Sequence, residues 1–196
     1  MTITIYGKPG SRARRPLWVA RELGLTVENV ELSAEEAKAP AYLAINPNGK
    51  VPALTDGDLT IFESLAQSLY LAKKYGTGTL YPASVEDEAR VWQWTLWAVA
   101  ELEKPLVTCL MERVIRPEDQ RNAAVADAAE RDLQKPLAVL DAALDGREWL
   151  FDGFSVADIN VAAVTAIAKP GKVDLAAFPN LAGWLDRAMA RPAYAG

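Results

Sequence analysis

Residues 46–64 constrain the fold of this chain more than any other stretch. They combine rigid turns, two brief apolar runs and a polar helix start, NPNGKVPALTDGDLTIFES. Pro52 cannot donate a hydrogen bond to a strand ladder, so the first apolar run is an edge strand or contains a kink. The turn at residues 56–58 joins the two runs and predicts a β-hairpin. The tight spacing makes the Val51–Pro52 bond a candidate for the cis form.

A helix is predicted to begin at Ser64, which is a favourable N-cap residue before an apolar-periodic stretch. A helix N-terminus beside an exposed strand edge suits a small peptide-like anion, because free NH groups and the positive dipole end attract a carboxylate. The NH and carbonyl of Val51 would pair with an extended peptide as an added strand does. Glu63 would hold an ammonium group. An ordinary hairpin followed by a capped helix explains the same local pattern.

These residues resemble the glutathione-binding region of cytosolic glutathione S-transferases, and the resemblance extends over nearly the whole chain. Residues 5–18 are similar to the first strand, active-site loop and first helix of the serine-type members, which are theta-like and bacterial. Residues 154–159 are similar to the family's capped inner helix, and residues 178–184 with 191–192 to its closing helix. Four motifs in the family's order make the resemblance specific.

Residues 1–76 predict an α/β domain with the element order βαβ-α-ββα. The first βαβ unit implies a parallel strand pair with a right-handed crossover, and the hairpin adds antiparallel strands. Together they resemble a thioredoxin-like domain. Redox chemistry of the thioredoxin type needs a Cys-x-x-Cys pair, and this chain has one cysteine, Cys109, within a predicted helix.

Residues 85–196 predict an all-α C-terminal domain, which follows a linker at residues 77–84 that is rich in glycine. A long amphipathic helix should span residues 87–115 with a kink at Pro105, and Pro117 fits the first turn of the next helix. Ser155 and Asp158 match a capping box. The two domains together predict the fold of the glutathione S-transferases that the chain resembles.

Composition excludes several kinds of function. The chain has no histidine, which removes histidine triads and imidazole metal sites, so no metal is expected. One cysteine cannot form an internal disulfide, in agreement with a reducing compartment. No apolar run approaches the roughly 20 residues that span a bilayer, and the N-terminus lacks the features of a signal peptide. We therefore expect a cytoplasmic protein without a membrane partner.

Charge argues against nucleic acid as a partner. Residues 1–76 hold nine basic and eight acidic side chains, whereas the remainder holds twelve and eighteen. The only tight basic cluster, Arg12, Arg14 and Arg15, is too small to follow a phosphate backbone. These arginines suit a helix surface, a ligand carboxylate or salt bridges.

The resemblance implies that the thiol of glutathione is activated for attack on a small hydrophobic electrophile, as in detoxification. Lowering a thiol pKa by about two units requires roughly 2.7 kcal/mol of thiolate stabilisation. Ser11 matches the catalytic serine, which donates to the sulfur near the start of the first helix. Its alternative role is the N-cap of that helix. Tyr6 stays open as the thiolate donor, since tyrosine-type members place a phenol at the end of their first strand. Arg14 adds positive charge or forms a surface salt bridge.

The resemblance also assigns the contacts with glutathione, which is the expected cosubstrate. Val51, before the candidate cis-proline Pro52, would bind the cysteinyl backbone. Glu63 would bind the γ-glutamyl ammonium and Ser64 the γ-glutamyl carboxylate. Lys50 would reach the glycyl carboxylate, or is a solvated turn lysine. The electrophile pocket would lie between the domains, along the long helix.

Other functions remain open at this level. A catalytically silent module of the same fold, associated with translation or transcription, would bind proteins instead. A glutathione-dependent peroxidase or isomerase would use the same thiolate. The presence of Ser11, Glu63 and Ser64 together favours an enzyme, and the family implies a homodimer.

Overall fold

The computed structural model describes residues 2–195, which form two compact units. The first unit comprises the described residues up to Ala83 together with a short helix, Pro192–Ala195, and the second comprises Ser84–Arg191. The first unit contains all four strands and the second is helical, so the predicted fold class is confirmed. Residues 192–195, which the sequence predicts as part of the helical domain, join the first unit in the structure because Tyr194 packs on the first helix of that unit.

The first unit is built on a four-stranded mixed sheet. Its strands are β1 (Ile3–Tyr6), β2 (Val27–Val30), β3 (Ala53–Asp56) and β4 (Leu59–Phe62), in the order β2-β1-β3-β4. β1 and β2 are parallel, and the other pairs are antiparallel, as the predicted βαβ unit and hairpin require. The register sets Tyr6 opposite Ala53 and Ile3 opposite Asp56. We call these the Tyr6 end and the Asp56 end of the sheet.

Three helices complete the main part of this unit. They are α1 (Arg14–Glu22), α2 (Pro40–Leu43) and α3 (Ser64–Gly76). α1 packs on α3 and buries Leu17, Trp18 and Val19. The second helix of the predicted βαβ-α-ββα order is instead a 3-10 turn, Glu36–Lys38, followed by the single turn of α2. The break follows from Pro40, because the residue before a proline avoids the helical conformation and Ala39 is extended.

The second unit contains five α-helices. They are α4 (Val85–Trp97), α5 (Lys104–Leu110), α6 (Ala123–Ala143), α7 (Val156–Thr165) and α8 (Pro179–Met189); the helix Pro192–Ala195 is α9. α4 continues into α5 through a π-helical segment, Ala98–Glu103. Pro105 explains that segment, because its ring would clash with the carbonyl four residues earlier, and wider turns relieve the clash. No helix within residues 2–195 is long and apolar enough to cross a membrane.

The start of α6 differs from its prediction. Pro117 lies outside this helix, in an extended conformation before the 3-10 turn Glu118–Gln120. The N-cap of α6 is Asn122, whose side chain accepts a hydrogen bond from the NH of Val125. The placement of Pro117 in the first turn of this helix is therefore wrong.

The predicted capping box at the start of α7 is confirmed. The buried Asp158 carboxylate accepts hydrogen bonds from the NH and the hydroxyl of Ser155, both at 3.0 Å. It also accepts from the NH of Leu150 and from the indole of Trp184, both at 2.9 Å. Burial nevertheless raises the pKa of Asp158. This carboxylate ties α7 to α8 and is a structural group.

Candidate active site

Gly7 brings the loop after β1 against the loop before β3. Its NH donates to the carbonyl of Val30 at 2.8 Å, and the Asn29 amide donates to the Gly7 carbonyl at 2.9 Å. With φ at 135°, Gly7 adopts a conformation that suits glycine. A Cβ atom at this position would lie 3.1 Å from the Val51 Cβ and 3.5 Å from the Ser11 Oγ. Ser11 and Val51 therefore face the same small space across Gly7.

Ser11 is half-exposed and precedes α1. Its hydroxyl donates to the carbonyl of Lys8 at 2.7 Å and accepts from the NH of Ala13 at 3.2 Å. The N-cap of α1 is Ala13, which makes no side-chain capping bond. The alternative role of Ser11 as the N-cap of α1 is therefore wrong. Among residues 2–195, the hydroxyl is bonded only within its own loop, and a stronger acceptor can replace the Lys8 carbonyl.

Tyr6 belongs to a hydrophobic cluster rather than to the Ser11 loop. Its ring lies 5.9 Å from the ring of Tyr42, between centroids. Around this pair lie buried Ala37 and Ala53, with Val51 partly buried against them. The side chain of Tyr6 is thus packed on the core at the end of β1.

Arg14 contacts two polar groups of its own unit. Its Nε donates to the carbonyl of Pro9 at 3.2 Å, and its Nη1 donates to the hydroxyl of Tyr194 at 2.8 Å. Its guanidinium also lies 5.0 Å from the centroid of the Tyr194 ring. Arg14 therefore binds a carbonyl, a hydroxyl and an aromatic ring rather than the carboxylate of a surface salt bridge.

Hydrogen bonds to the carbonyl of Lys50 hold the loop before β3 in place. The Val51–Pro52 bond is cis, which confirms that prediction. The carbonyl of Lys50 accepts hydrogen bonds from the hydroxyl of Tyr42 at 2.8 Å and from the buried amide of Asn46 at 2.6 Å. The backbone NH and carbonyl of Val51 have no hydrogen-bond partner within residues 2–195. Val51 therefore presents a free backbone edge, while the Lys50 side chain is exposed.

The start of α3 carries Glu63 and Ser64, and the helix begins one position earlier than predicted. Glu63 is the N-cap, exposed, with a positive φ of 71° and no side-chain capping bond. Ser64 is therefore the first residue of the helix, and its assignment as the N-cap is wrong. Positive φ is unfavourable for a residue other than glycine, and such strain is concentrated at functional sites. The first amides of α3 are left without a side-chain cap and remain available to an anion.

Two buried polar side chains support this region and were missed as site residues. Arg15, on the buried face of α1, donates to the hydroxyl of Ser64 at 3.0 Å. Gln67, fully buried in α3, donates to the carbonyls of Pro52 and Ile61 at 3.2 and 3.1 Å. A polar residue within the apolar stripe of a helix is the signal that could have revealed both.

The opposite end of the sheet holds a polar cluster of a different kind. One oxygen of the buried Asp56 carboxylate accepts hydrogen bonds from the hydroxyls of Tyr70 and Tyr75 at 2.7 and 2.6 Å. The same oxygen accepts from the Lys74 ammonium at 2.7 Å. Burial alone would raise the pKa of Asp56, but these hydrogen bonds together hold it below its usual value. The ion pair raises the pKa of Lys74.

Cys109 lies in α5, within the predicted long helix, and is fully buried. Its sulfur lies 3.6 Å from the carbonyl of Ala126, and burial raises the pKa of its thiol. A neutral thiol in this environment is a packing group. Within residues 2–195 no group of three or more cysteine or carboxylate side chains is arranged to hold a metal ion.

The strand order β2-β1-β3-β4, with its parallel βαβ unit and antiparallel hairpin, defines a thioredoxin-like unit, which a helical unit follows in the chain. Family models support a more specific assignment. Residues 1–73 match the N-terminal domain of glutathione S-transferases, and residues 102–192 match their C-terminal domain. The chain belongs to the glutathione S-transferase family, which confirms the resemblance drawn from its motifs.

Individual relatives agree over almost the full length. The chain is 35% identical to glutathione S-transferase 3 of Zea mays, over 98% of this chain and 91% of the relative. It is 32% identical to the glutathione S-transferase GstB of Escherichia coli K12, over 97% and 95%. Among solved structures, a theta class enzyme from Xanthomonas axonopodis pv. citri with glutathione bound has a TM-score of 0.90 and 33% identity, over 98% and 94%.

Proposed function

We propose that this enzyme binds glutathione at the Tyr6 end of the sheet and that Ser11 activates the thiol for attack on a small hydrophobic electrophile. The observation that carries the proposal is the geometry around Gly7, where Ser11 Oγ and Val51 Cβ both lie within 3.5 Å of one point. A peptide paired with the free backbone of Val51 would carry its own side chain next to that hydroxyl. For glutathione, that side chain is the thiol.

Glutathione would be held along the polar groups of this end. The NH and carbonyl of Val51 pair with the cysteinyl residue as an added strand. The first amides of α3 and the hydroxyl of Ser64 receive the γ-glutamyl carboxylate. Since Arg15 already donates to the Ser64 oxygen, the Ser64 proton is left to point at the ligand. Glu63 pairs with the γ-glutamyl ammonium.

Ser11 would stabilise the thiolate by turning its proton away from the carbonyl of Lys8. An anion is a stronger acceptor than a carbonyl, so the exchange is favourable. A hydrogen bond to a charged group contributes about 1.5–3 kcal/mol, and the start of α1 adds about 0.3–1 kcal/mol. Together these terms match the roughly 2.7 kcal/mol that a two-unit fall in thiol pKa requires.

Tyr6 is the weaker candidate for this role, because its ring packs on Tyr42 in the hydrophobic cluster. The two residues can be separated by matched variants. Ser11→Ala should lower turnover about a hundredfold, as the loss of one preorganised donor does, and change the dissociation constant for glutathione by less than about threefold. Tyr6→Phe should retain most of the turnover.

We also propose that the protein is a cytoplasmic homodimer. α4 exposes apolar side chains along one face, with Trp92 and Leu96 51% and 65% exposed, and Val85 and Val99 lie on the same stripe. An exposed apolar stripe of this kind marks a protein contact. Sedimentation at micromolar concentration should give twice the chain mass, and Leu96→Glu should yield the monomer. A monomeric wild-type protein would contradict the proposal.

Retention on immobilised glutathione, followed by a screen of electrophiles, tests the activity itself. Retention together with turnover supports the transferase, and turnover of peroxides or isomerisation substrates alone would identify a related reaction of the same thiolate. Failure of the folded protein to bind glutathione would favour a silent protein-binding module. Normal turnover in Ser11→Ala, with loss in Tyr6→Phe, would assign the donor role to Tyr6.

A further inference from the structure

The loop that carries Ser11 depends on contacts from outside its own residues. Within it, the Ser11 NH donates to the carbonyl of Lys8 at 2.9 Å, and the Ser11 carbonyl accepts from the NH of Arg14 at 3.1 Å. Lys8 and Gly10 are exposed, and a Cβ atom at Gly10 would meet open space. Short-range bonds of this kind fix the shape of a turn and leave its placement to other contacts.

The Arg14 side chain supplies such a contact. Its Nε binds the Pro9 carbonyl in the middle of the loop, while its Nη1 binds the Tyr194 hydroxyl on α9. A guanidinium is planar and rigid, so a bond at one edge restrains the direction of the other edge. Tyr194 therefore restrains Pro9 through Arg14, although 185 positions separate the two residues in the sequence.

Tyr194 is itself well anchored. Its ring meets the ring of Trp18 edge to face, with centroids 4.9 Å apart, and Trp18 is fully buried. The indole NH of Trp18 donates to the Glu22 carboxylate at 3.0 Å. α9 thus rests on the rigid part of α1, and it can serve as a fixed point for the Arg14 guanidinium.

We propose that Tyr194 is a positioning residue for catalysis: acting through Arg14 and the Pro9 carbonyl, it holds the Ser11 hydroxyl at the distance from the bound thiol that activation requires. This inference rests on the proposed role of Ser11. A displacement of about 1 Å at a reacting group can cost up to a hundredfold in rate, so a partly relaxed loop is expected to have a smaller but measurable effect.

Tyr194→Phe tests the proposal, because it keeps the ring contacts with Trp18 and Arg14 and removes only the hydroxyl acceptor. Tyr70→Phe is the matched control, since it removes a bonded hydroxyl at the Asp56 end of the same unit. In Tyr194→Phe we expect kcat to fall about threefold to tenfold while glutathione affinity stays within about twofold of the wild type. The kinetic pKa of the bound thiol should rise. Tyr70→Phe should leave all three quantities unchanged.

The Arg14→Met variant tests whether Tyr194 affects kcat through Arg14. If Tyr194 acts through Arg14, Tyr194→Phe should cause no further loss of kcat in the Arg14→Met background, because coupled residues are not additive. Additive losses would overturn the proposal. So would a wild-type kcat and pH profile in Tyr194→Phe, or an equal loss in Tyr70→Phe.

Hydrogen exchange separates this proposal from the proposed activity. Without ligand, the amides of residues 10–14 should exchange faster in Tyr194→Phe than in the wild type and in Tyr70→Phe. Unchanged exchange would refute the restraint of the loop by Tyr194 through Arg14, whatever the activity. Faster exchange in a protein that fails to bind glutathione would refute the proposed function but support that restraint. Faster exchange with unaltered kcat in an active enzyme would refute the positioning role.

Discussion

The two ends of the N-terminal sheet are both polar, yet they use their hydrogen bonds in different ways. At the Asp56 end, Tyr70, Lys74 and Tyr75 all donate to one carboxylate oxygen of Asp56. At the Tyr6 end, the backbone of Val51 and the first amides of α3 are left open. α3 contributes to both ends, its start to one and its last turns to the other. A cluster whose side-chain donors bind an acceptor within it supports the fold, whereas an end that leaves backbone donors and acceptors open can bind a ligand.

Asp56→Ala should have the largest effect, a loss of stability at the Asp56 end of the sheet. The substitution leaves an ammonium and two hydroxyls without their shared acceptor, so we expect a loss of about 3 kcal/mol in the free energy of unfolding. Urea denaturation measures this loss. The kcat of the folded fraction should remain that of the wild type. Loss of activity without loss of stability would break the distinction between the two ends.

Glu63→Gly should show the opposite behaviour at the Tyr6 end. Glycine adopts positive φ without strain and is tolerated at an N-cap, so the unfolding free energy should rise by about 1 kcal/mol. Glutathione affinity should fall about tenfold, because the carboxylate proposed to pair with the γ-glutamyl ammonium is removed. Calorimetric titration measures the affinity. Glu63→Gln is the control: it keeps the strain, so it should lose affinity without gaining stability.

The sequence predicted the architecture well because the relevant signals are local. The hairpin of β3 and β4, the cis bond before Pro52 and the capping box of Ser155 and Asp158 each depend on residues close together in the chain. Exact helix starts were less accurate. α3 begins after Glu63 because that residue takes a positive φ, a conformation that propensity assigns to glycine.

The supporting contacts of the site could not be predicted, because they join distant parts of the chain. Arg15 and Ser64 are 49 positions apart, and Arg14 and Tyr194 are 180 apart. Their local patterns indicate only helix positions. Packing of α3 and α9 on α1 decides which side chains meet, and that packing follows from the whole fold rather than from any motif.

Acid should weaken the Asp56 end of the sheet, because the contribution of Asp56 to stability depends on its ionised carboxylate. The pKa of Asp56 is lower in the folded protein than its usual value, so its ionisation stabilises the fold above the usual pKa of about 4. That contribution is lost as the pH falls through the folded pKa. Asp56→Asn should therefore lose less stability than the wild type between about pH 5 and pH 2, measured by urea denaturation at each pH. An equal loss in both proteins would contradict the shift.

The smallest effect is expected from Lys50→Ala. The carbonyl of Lys50 holds the loop, whereas its side chain is exposed and would contribute only a screened attraction to the glycyl carboxylate. The dissociation constant for glutathione should rise about threefold at low ionic strength and less in high salt. Binding titrations at two salt concentrations measure the difference. An effect independent of salt would assign Lys50 a direct, buried contact.

Because α9 belongs to the first unit but follows the second unit in the chain, the first unit is completed only after the second has been synthesised. Residues 192–195 leave the ribosome after the whole of the second unit, so the nascent sheet and α1 meet α9 only after the second unit has been synthesised. A chain interrupted between the two units would carry the segment proposed to bind glutathione, but its Ser11 loop would lack the contact of Arg14 with Tyr194. Full activity would therefore be acquired late, and only by chains translated through both units.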